Sequence, residues 1–493
     1  MNCVDFIFEK KANYEKNLII GTHETVTYQT VFLSIVKLAM FIQDKIGIGE
    51  KVILIGQNST FYIIAYFAII KSGNICVPLN PSIEQSNLDY ILSKSQAKLG
   101  FISLLVQKQL RISIEKYSEA DYLSLLPANR QSLNTEKDFD QDQIAEIIYT
   151  SGSTSTPKGV MLTHKNIISN TESIISYLKL NEDDVMQVVL PFYYCYGLSL
   201  LHTHIRVGAQ LLLNNNFIFL GSTINNFNKY NCTGFAGVPS HYQILLRKTE
   251  LFKNSIFTNL RYVTQAGGKL HESFIKEFNE AFPLVPFFVM YGQTEATARL
   301  SYLPPEMLNR KSGSIGKGIP GVELRVIDSQ GKDVKPGNIG EIVAHGDNVM
   351  AGYFDDIDET AKTIRDGWLY TGDLGTWDED GYIYLTARKK EIIKVGGKRV
   401  SPKEIEDVIY LIPGIIDCTI EGIDDQILGE AIMATIVVNE IGKEITSDFI
   451  KAFCNSKLVG YKVPTVVIFK DSLEINSTGK KTKIHKNNPY ENK

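Results

Sequence analysis

The sequence lacks the cysteine spacing, the long apolar segment and the charge excess that mark several large classes of protein. Its six cysteines are scattered without a CxxC pair or clustered histidines, which argues against a zinc site and for reduced thiols. The longest apolar run, Phe61 to Ile70, is about half the length that a transmembrane helix needs. The net charge of −4 gives no reason to expect nucleic acid as the main partner.

The amino terminus lacks a basic region followed by an apolar stretch, so no signal peptide is predicted. The chain instead has 44% hydrophobic and 22% charged residues, a composition typical of soluble globular proteins. Its 493 residues exceed one ordinary hydrophobic core, so two or more domains are expected. We therefore expect a cytoplasmic protein without a membrane span.

The early part of the chain has an α/β pattern. Apolar residues recur every three to four positions over Tyr28–Ile46, which predicts a helix with Thr27 placed to cap it. A buried strand is predicted at 51–56, a second helix over 58–71 and a second strand at 76–80. Strand, helix and strand in this order, with near-continuous apolar strands, indicate a parallel sheet covered on both faces.

A polar loop at 150–159 is the first stretch with chemical meaning. It lies between a predicted buried strand at 145–149 and a short strand at 160–162. Its hydroxyls, glycine N–H groups and lysine can all point at phosphate oxygens. A polar, mobile hairpin is the alternative interpretation, but Pro157 stiffens the loop and fixes where Lys158 enters. The loop is not a Walker-type P-loop, because Gly159 and a strand follow the lysine.

This loop resembles the phosphate loop of the AMP-forming acyl-adenylating enzymes, which include acyl-CoA synthetases, peptide-synthetase adenylation domains and firefly-type luciferases. The resemblance covers the whole chain, because six separate motifs occur in the family's order and spacing. It implies that the loop holds the β- and γ-phosphates of ATP. The loop residues assigned to this task are Thr150, Ser151, Gly152, Ser153, Thr154 and Lys158.

Two further motifs complete the nucleotide site that the resemblance implies. The segment 291–295 resembles the family's Tyr-Gly-x-Thr-Glu, in which Tyr291 stacks on adenine, Thr294 contacts the α-phosphate and Glu295 holds Mg²⁺. A carboxylate suits that cation, since Mg²⁺ prefers oxygen ligands. Asp373, in Tyr-Thr-Gly-Asp, is expected to bind both ribose hydroxyls with help from Arg388.

Glycines and aromatic residues form the predicted substrate pocket. Gly267 and Gly268 end a predicted strand, where glycine lets a flat ligand approach the backbone. The pocket residues implied by the resemblance are Tyr194, Cys195, Gly237 and Gly292. Amino-acid-activating relatives place an aspartate at the Tyr194 position to bind the substrate's ammonium. Burial of an unpaired ammonium would be costly, so an α-amino acid is disfavoured as the substrate.

The last hundred residues are predicted to form a second domain. Residues 1–389 would be the adenylate-forming domain and 390–493 a small mobile domain with a β, α, β, β, α, β pattern. Ser401 to Glu404 has the spacing of a capping box, with proline at the first helical position. The resemblance makes Lys390 the hinge and Lys480 the catalytic lysine.

Together these features predict an α/β protein with a large domain of parallel sheets, a small β-barrel-like subdomain and a mobile α+β carboxyl-terminal domain. The implied activity is attack of a small carboxylic acid on ATP·Mg²⁺, followed by transfer of the acyl group to coenzyme A. A carrier protein's phosphopantetheine, acting in trans, is the alternative acceptor. A stand-alone enzyme that loads an amino or hydroxy acid onto a carrier is a second hypothesis. A non-catalytic nucleotide-binding homologue is a third.

Overall fold

The computed structural model describes residues 1–21, 24–125, 139–150, 157–389, 391–425 and 427–473. Six of the predicted site residues lie outside these ranges, namely Ser151, Gly152, Ser153, Thr154, Lys390 and Lys480. Within the described ranges, no helix combines the length and the apolar character that crossing a membrane requires.

The first part of the chain alternates strands and helices, as predicted. Its strands are β1 (Asn17–Ile20), β2 (Val26–Thr27), β3 (Lys51–Ile55), β4 (Ile75–Leu79), β5 (Leu99–Ile102), β6 (Glu115–Tyr117), β7 (Ile144–Thr150) and β8 (Lys158–Thr163). Its helices are α1 (Cys3–Ile7), α2 (Tyr28–Ile46), α3 (Thr60–Lys71), α4 (Gln85–Ser95), α5 (Leu104–Gln109) and α6 (His164–Leu178). Strands β7, β4, β3, β5 and β6 form a parallel sheet in that order, and β8 adds to β7 in antiparallel orientation.

Local capping explains where the first long helices begin. Helix α2 has the predicted bounds, and the Thr27 side chain accepts a hydrogen bond from the N–H of Thr30. Helix α3 begins two residues later than predicted, because Ser59 accepts from the N–H of Tyr62 and so acts as the N-cap. Almost all of α3 is buried, as expected for a helix that is apolar on every face.

The middle of the chain builds a second sheet that is mostly parallel. Its strands are β9 (Val185–Val188), β10 (Gln210–Leu213), β11 (Gly234–Gly237), β12 (Tyr262–Gln265), β13 (Phe287–Tyr291) and β14 (Ser301–Leu303). The helices are α7 (Cys195–Val207), α8 (Leu220–Lys229), α9 (Pro239–Arg247), α10 (Glu250–Lys253) and α11 (Glu272–Ala281). Strands β13, β12, β11, β9, β10 and β1 run parallel in that order, so the carboxyl ends of β11, β12 and β13 lie side by side.

An antiparallel subdomain continues this sheet beyond β14. Its elements are β15 (Ser314–Gly318), β16 (Val322–Ile327), β17 (Gly340–Gly346), β18 (Gly352–Tyr353), α12 (Ile357–Thr363), β19 (Ile364–Arg365), β20 (Trp368–Trp377) and β21 (Ile383–Arg388). Ile315, Val326, Ile342 and Leu369 help to form its apolar core. Strand β18 instead pairs with β8, which brings this part of the chain next to the predicted phosphate loop.

The carboxyl-terminal part has its own sheet. Its elements are β22 (Ile393–Val395), β23 (Lys398–Val400), α13 (Pro402–Ile409), β24 (Ile415–Asp425), β25 (Gly429–Val438), α14 (Ser447–Lys457) and β26 (Val466–Phe469). Helix α13 begins at Pro402 as predicted, but the predicted capping box is wrong. The Ser401 hydroxyl donates to the carbonyl oxygen of Thr386 at 2.8 Å and makes no capping hydrogen bond to α13.

Candidate active site

The carboxyl ends of β11, β12 and β13 place four of the predicted glycines along one edge of the sheet. Gly237 ends β11, Gly267 and Gly268 follow β12, and Gly292 follows β13. A Cβ atom at Gly292 would lie 2.1 Å from the carbonyl oxygen of Ala298, which no side chain can tolerate. Glycine is therefore required there, because the backbone doubles back against itself.

Three predicted nucleotide-binding residues come together beside this edge. The Tyr291 hydroxyl donates to Asp373 Oδ2 at 2.6 Å, and Arg388 Nε donates to Asp373 Oδ1 at 3.1 Å. Asp373 and Arg388 are also directly paired residues of β20 and β21. Asp373 is only 5% exposed, and this burial raises the pKa of its carboxyl while Arg388 and the Tyr291 hydroxyl oppose the rise.

A second group connects the phosphate loop to Glu295. Tyr353, on β18, donates its hydroxyl hydrogen to Glu295 Oε1 at 2.9 Å. The ammonium nitrogen of Lys158 lies 5.4 Å from the centre of the Tyr353 ring and 2.5 Å from Glu359 Oε1. Tyr353 thus holds the predicted phosphate-binding lysine and the predicted metal ligand near one another. Thr150 lies at the same end of the hairpin, opposite Lys158 in the register of β7 and β8.

The predicted acyl pocket begins where Thr294 meets α7. The Thr294 hydroxyl donates to Cys195 Sγ at 3.6 Å, and both side chains are buried. Tyr194 precedes the helix as its N-cap, and Tyr196 lies on its first turn. Burial raises the pKa of Tyr194; Arg388 and Arg299 oppose this rise, and Glu295 adds to it. Arg388 and Glu295, from the predicted nucleotide site, and Arg299 therefore all act on the Tyr194 hydroxyl.

The site fits the groups that the family resemblance implies. Mg²⁺ is commonly bound through one or two carboxylates, with water and phosphate oxygens as the remaining ligands. Glu295 supplies one such carboxylate, and Tyr353 orients it from one side. Tyr291 and Arg388 flank Asp373, so a ribose bound by Asp373 would have an aromatic ring on one side and a guanidinium on the other.

Three residues of this site were not predicted from the sequence. Tyr353 and Glu359 belong to a segment whose pairing with β8 spans about two hundred residues of chain, and no local motif signals it. Arg299 carries a clearer signal, because it is a charged residue between Ala298 and Leu300 in an apolar stretch. Their proximity to the site follows from the pairing of β18 with β8 and from the turn after β13, which the sequence pattern did not predict.

Family models match both parts of the chain. The model described as AMP-binding enzyme matches residues 8–354, and the model described as AMP-binding enzyme C-terminal domain matches residues 404–480. The first match alone covers more than half of the chain and includes the segment 291–295 and the phosphate loop.

Known proteins resemble the chain along nearly its whole length. Oxalate–CoA ligase of Arabidopsis thaliana is 31% identical over 88% of this chain and 87% of the relative. ATP-bound MatB from Rhodopseudomonas palustris superposes with a TM-score of 0.87 at 26% identity, over 97% of each chain. The o-succinylbenzoate CoA synthetase of Bacillus subtilis, in complex with its acyl-adenylate intermediate, gives a TM-score of 0.84 at 25% identity, over 97% of this chain and 96% of that chain.

Proposed function

Since the chain belongs to the AMP-binding enzyme family, we propose that it is an acyl-CoA synthetase whose acceptor thiol is coenzyme A. The reaction is the ATP-dependent activation of a carboxylic acid to an acyl-adenylate, followed by transfer of the acyl group to the thiol. The observation that supports this best is the convergence of Tyr291, Asp373 and Arg388 beside Glu295 and its phenol partner. Tyr291, Asp373 and Arg388 would contact the nucleoside, and Glu295, held by Tyr353, would bind the metal at the same edge of the sheet.

In the first step, a carboxylate oxygen of the acid forms a bond to the α-phosphorus of ATP, and the bond between α-phosphorus and bridging oxygen breaks. Pyrophosphate leaves with the electron pair. We assign Thr294 to the α-phosphate, Glu295 to Mg²⁺ and Lys158 to the β- and γ-phosphates. In the structure Lys158 is paired with Glu359, so phosphate binding would exchange one anionic partner for another. Such catalysis depends on positioning and charge stabilisation.

In the second step, the sulfur of the thiol forms a bond to the acyl carbon, and AMP leaves as the carbon–oxygen bond breaks. The proposed two-domain arrangement, with residues 1–389 and 390–493 as its units, would serve both steps through rotation at Lys390. Lys480 would stabilise charge between the carboxylate and the α-phosphate. Lys390 and Lys480 lie outside the described residues, so their roles stay predictions. The six cysteines are all buried and none is in a disulfide, which suits the cytoplasm that we propose as the location.

The proposed substrate is a carboxylic acid without an α-amine. Tyr194 occupies the position where amino-acid-activating relatives have an aspartate, and its partly buried phenol has a raised pKa and stays neutral. A neutral phenol cannot balance an ammonium group in a pocket from which water is excluded. The positive charge of Arg299, which acts on the same phenol, would disfavour an ammonium further.

Acid-dependent exchange of labelled pyrophosphate into ATP tests this proposal. Pairs of acids that differ only in the α-amine are compared, and coenzyme A and a phosphopantetheine-bearing carrier are then offered as acceptors. We expect exchange with the acids that lack the amine and thioester formation with coenzyme A. Preferential exchange with α-amino acids, or transfer only to the carrier, would contradict the assignment.

A further inference from the structure

Arg299 is a buried arginine whose charge is not balanced by a carboxylate among the described residues. The residue is only 2% exposed. Its Nε donates to Met290 Sδ at 3.4 Å, its Nη1 donates to the carbonyl oxygen of Ala298 at 3.1 Å, and its Cζ lies 4.0 Å from the centre of the Tyr196 ring. Other arginines form carboxylate pairs, namely Arg206 with Glu9, Arg247 with Glu277, Arg261 with Asp184, Arg325 with Asp333 and Arg388 with Asp373.

These contacts compensate the buried charge only in part. A guanidinium removed from water needs strong hydrogen bonds or an opposite charge to offset its lost hydration. A thioether sulfur is a weak acceptor, a single carbonyl oxygen meets one of the five guanidinium N–H groups, and the Tyr177 hydroxyl is a further but uncharged partner. The face of a tyrosine adds a favourable but modest cation–π interaction. The arrangement around Arg299 is therefore one that an incoming anion would complete.

The position of Arg299 links it to the predicted acyl pocket. A Cβ atom at Gly292 would lie 2.8 Å from the Cα atom of Arg299, so the two backbones touch directly. On the other side, the guanidinium covers the ring of Tyr196, which follows Cys195 on α7. Cys195 Sγ in turn accepts the hydrogen bond from Thr294. The guanidinium thus covers the residue next to Cys195, whose sulfur contacts the predicted α-phosphate ligand Thr294.

A second unsatisfied donor lies on the same turn. The side-chain amide nitrogen of Gln293 is buried and has no hydrogen-bond acceptor among the described residues. It is adjacent in sequence to Gly292 and Thr294. Buried donors without partners are rare in folded proteins, and each one needs an explanation. The segment from Gly292 to Arg299 therefore carries two side chains whose donors are not fully matched by acceptors among the described residues.

We propose that Arg299 binds a second carboxylate of the substrate, so that the acid activated by this enzyme is a dicarboxylic acid. One carboxylate reacts at the Thr294–Glu295 end of the pocket, and the other forms a charge-assisted hydrogen-bonded pair with Arg299 over the Tyr196 ring. This inference rests on the proposed function, because it assigns the distal end of the acid whose reacting end is activated by ATP. The cation also rejects long apolar acids, whose chains would leave it buried and unpaired.

Pyrophosphate exchange with matched acids tests the proposal on the unmodified enzyme. Each dicarboxylic acid of a short aliphatic series is compared with the monocarboxylic acid of equal chain length and with its own monomethyl ester. The ester lacks the second charge and adds one methyl group, whereas the monocarboxylic acid lacks the second carboxylate without added bulk. We expect kcat/KM for the diacid to exceed that for either partner by at least about 30-fold, as expected from the loss of one member of a buried charge pair.

Variants at position 299 separate substrate binding from a purely structural role. Arg299→Met keeps an unbranched side chain close to the length of the arginine methylene stem and removes the guanidinium, so we expect it to raise KM for the diacid and to improve the monoacid and the ester. Arg299→Lys should retain part of the diacid preference. The control Arg325→Met removes a guanidinium from a surface pair with Asp333 and should leave the preference unchanged.

The outcomes distinguish this inference from the function on which it rests. Reversal of the preference in Arg299→Met supports the proposal. Equal use of monoacids and diacids by the unmodified enzyme, or an equal loss for both in the variant, overturns the diacid assignment while the ligase reaction stands. Exchange with no acid of any class counts against the proposed function itself. If Arg299→Met does not fold, the comparison of diacid with monomethyl ester on the unmodified enzyme decides.

Discussion

The residues of the proposed nucleotide site show what sequence motifs can and cannot predict. Tyr291 and Asp373 were each predicted from a local motif, and their hydrogen bond joins two motifs that lie 82 positions apart. Arg388 was predicted to assist Asp373, and the two lie side by side because they oppose each other directly on adjacent strands. Tyr353 and Glu359 were missed, because tyrosine and glutamate have no distinctive local pattern in that segment. A residue's role could be predicted only where its neighbours in sequence were informative.

Asp373→Ala should weaken ATP binding roughly 10- to 100-fold, the loss expected when charged hydrogen bonds are removed. The carboxylate is held in place by Tyr291 and Arg388, so it would meet the two proposed ribose hydroxyls without rearranging. Equilibrium binding of ATP to the variant checks this. Asp333→Ala, which removes an exposed carboxylate paired with Arg325, is the control. An unchanged dissociation constant for Asp373→Ala would show that the ribose assignment is wrong.

At the scale of single elements, the sequence pattern predicted the bounds of α2, α3, β3, β4, β7 and β8 to within two residues. The bounds of α2 were predicted without error, since its apolar period is regular and Thr27 marks its start. The capping box at α13 failed because a competing acceptor, the carbonyl oxygen of Thr386, comes from β21 and is invisible in the local sequence. Long-range hydrogen bonds of this kind determine details that local propensity cannot.

Strand β7 contains a buried acid, Glu146, although the segment was predicted to be a buried apolar strand. Glu146 accepts a hydrogen bond from the Tyr66 hydroxyl of α3 at 2.9 Å, and that hydroxyl also lies 2.9 Å from His202 Nε2 of α7. Burial raises the pKa of Glu146 to about 7 and lowers the pKa of His202 to about 3. The thiols of Cys3 and Cys76 are also close enough to sense the charge of Glu146.

The raised pKa of Glu146 predicts how the stability of the protein depends on pH. Between the ordinary carboxyl pKa and about 7, the folded protein binds a proton at Glu146 more tightly than the unfolded chain does. This contribution to stability is present at low pH and is lost as the pH rises through 7. Glu146→Gln stays neutral and can still accept the hydrogen bond from Tyr66. The melting temperature of the variant relative to the unmodified protein should therefore rise from pH 5 to about 7.5 and then become constant.

The informative quantity is the difference in melting temperature between Glu146→Gln and the unmodified protein, because the buried histidines titrate in both. Thermal unfolding followed by circular dichroism at closely spaced pH values measures it. The expected change corresponds to about 3 kcal/mol across the range, from 1.36 kcal/mol per unit of pKa shift. A difference in melting temperature that does not vary with pH would show that Glu146 is not protonated in the folded protein at low pH.

At the scale of the whole molecule, the order of motifs predicted the architecture but not how the small carboxyl-terminal domain lies on the large one. Gln243 of α9 donates to the Tyr410 hydroxyl at 3.1 Å, and Lys269 Nζ lies 2.7 Å from Asp407 Oδ2. The partners in these contacts are far apart in sequence, so no pattern could have paired them. Both contacts must break if the small domain rotates between the two steps of the reaction.

A crosslink across this contact tests the need for such rotation. Lys269→Cys and Asp407→Cys introduce thiols that a short bismaleimide can join, and the reagent is selective because the native cysteines are buried. We expect the crosslinked protein to retain one half-reaction and lose the other, since a fixed domain serves only one step. Each single-cysteine variant treated with the reagent is the control. Both half-reactions at the unlinked rate would contradict a moving domain.

The most direct test of the central claim follows the oxygen atoms of the acid. The account requires a covalent bond between a carboxylate oxygen and the α-phosphorus of ATP. The enzyme is supplied with carboxyl-labelled ¹⁸O acid, ATP, Mg²⁺ and coenzyme A, and the products are analysed by mass spectrometry. The account predicts a thioester, unlabelled pyrophosphate and AMP that carries one ¹⁸O atom. Formation of ADP, or label in inorganic phosphate with none in AMP, would contradict activation through an acyl-adenylate.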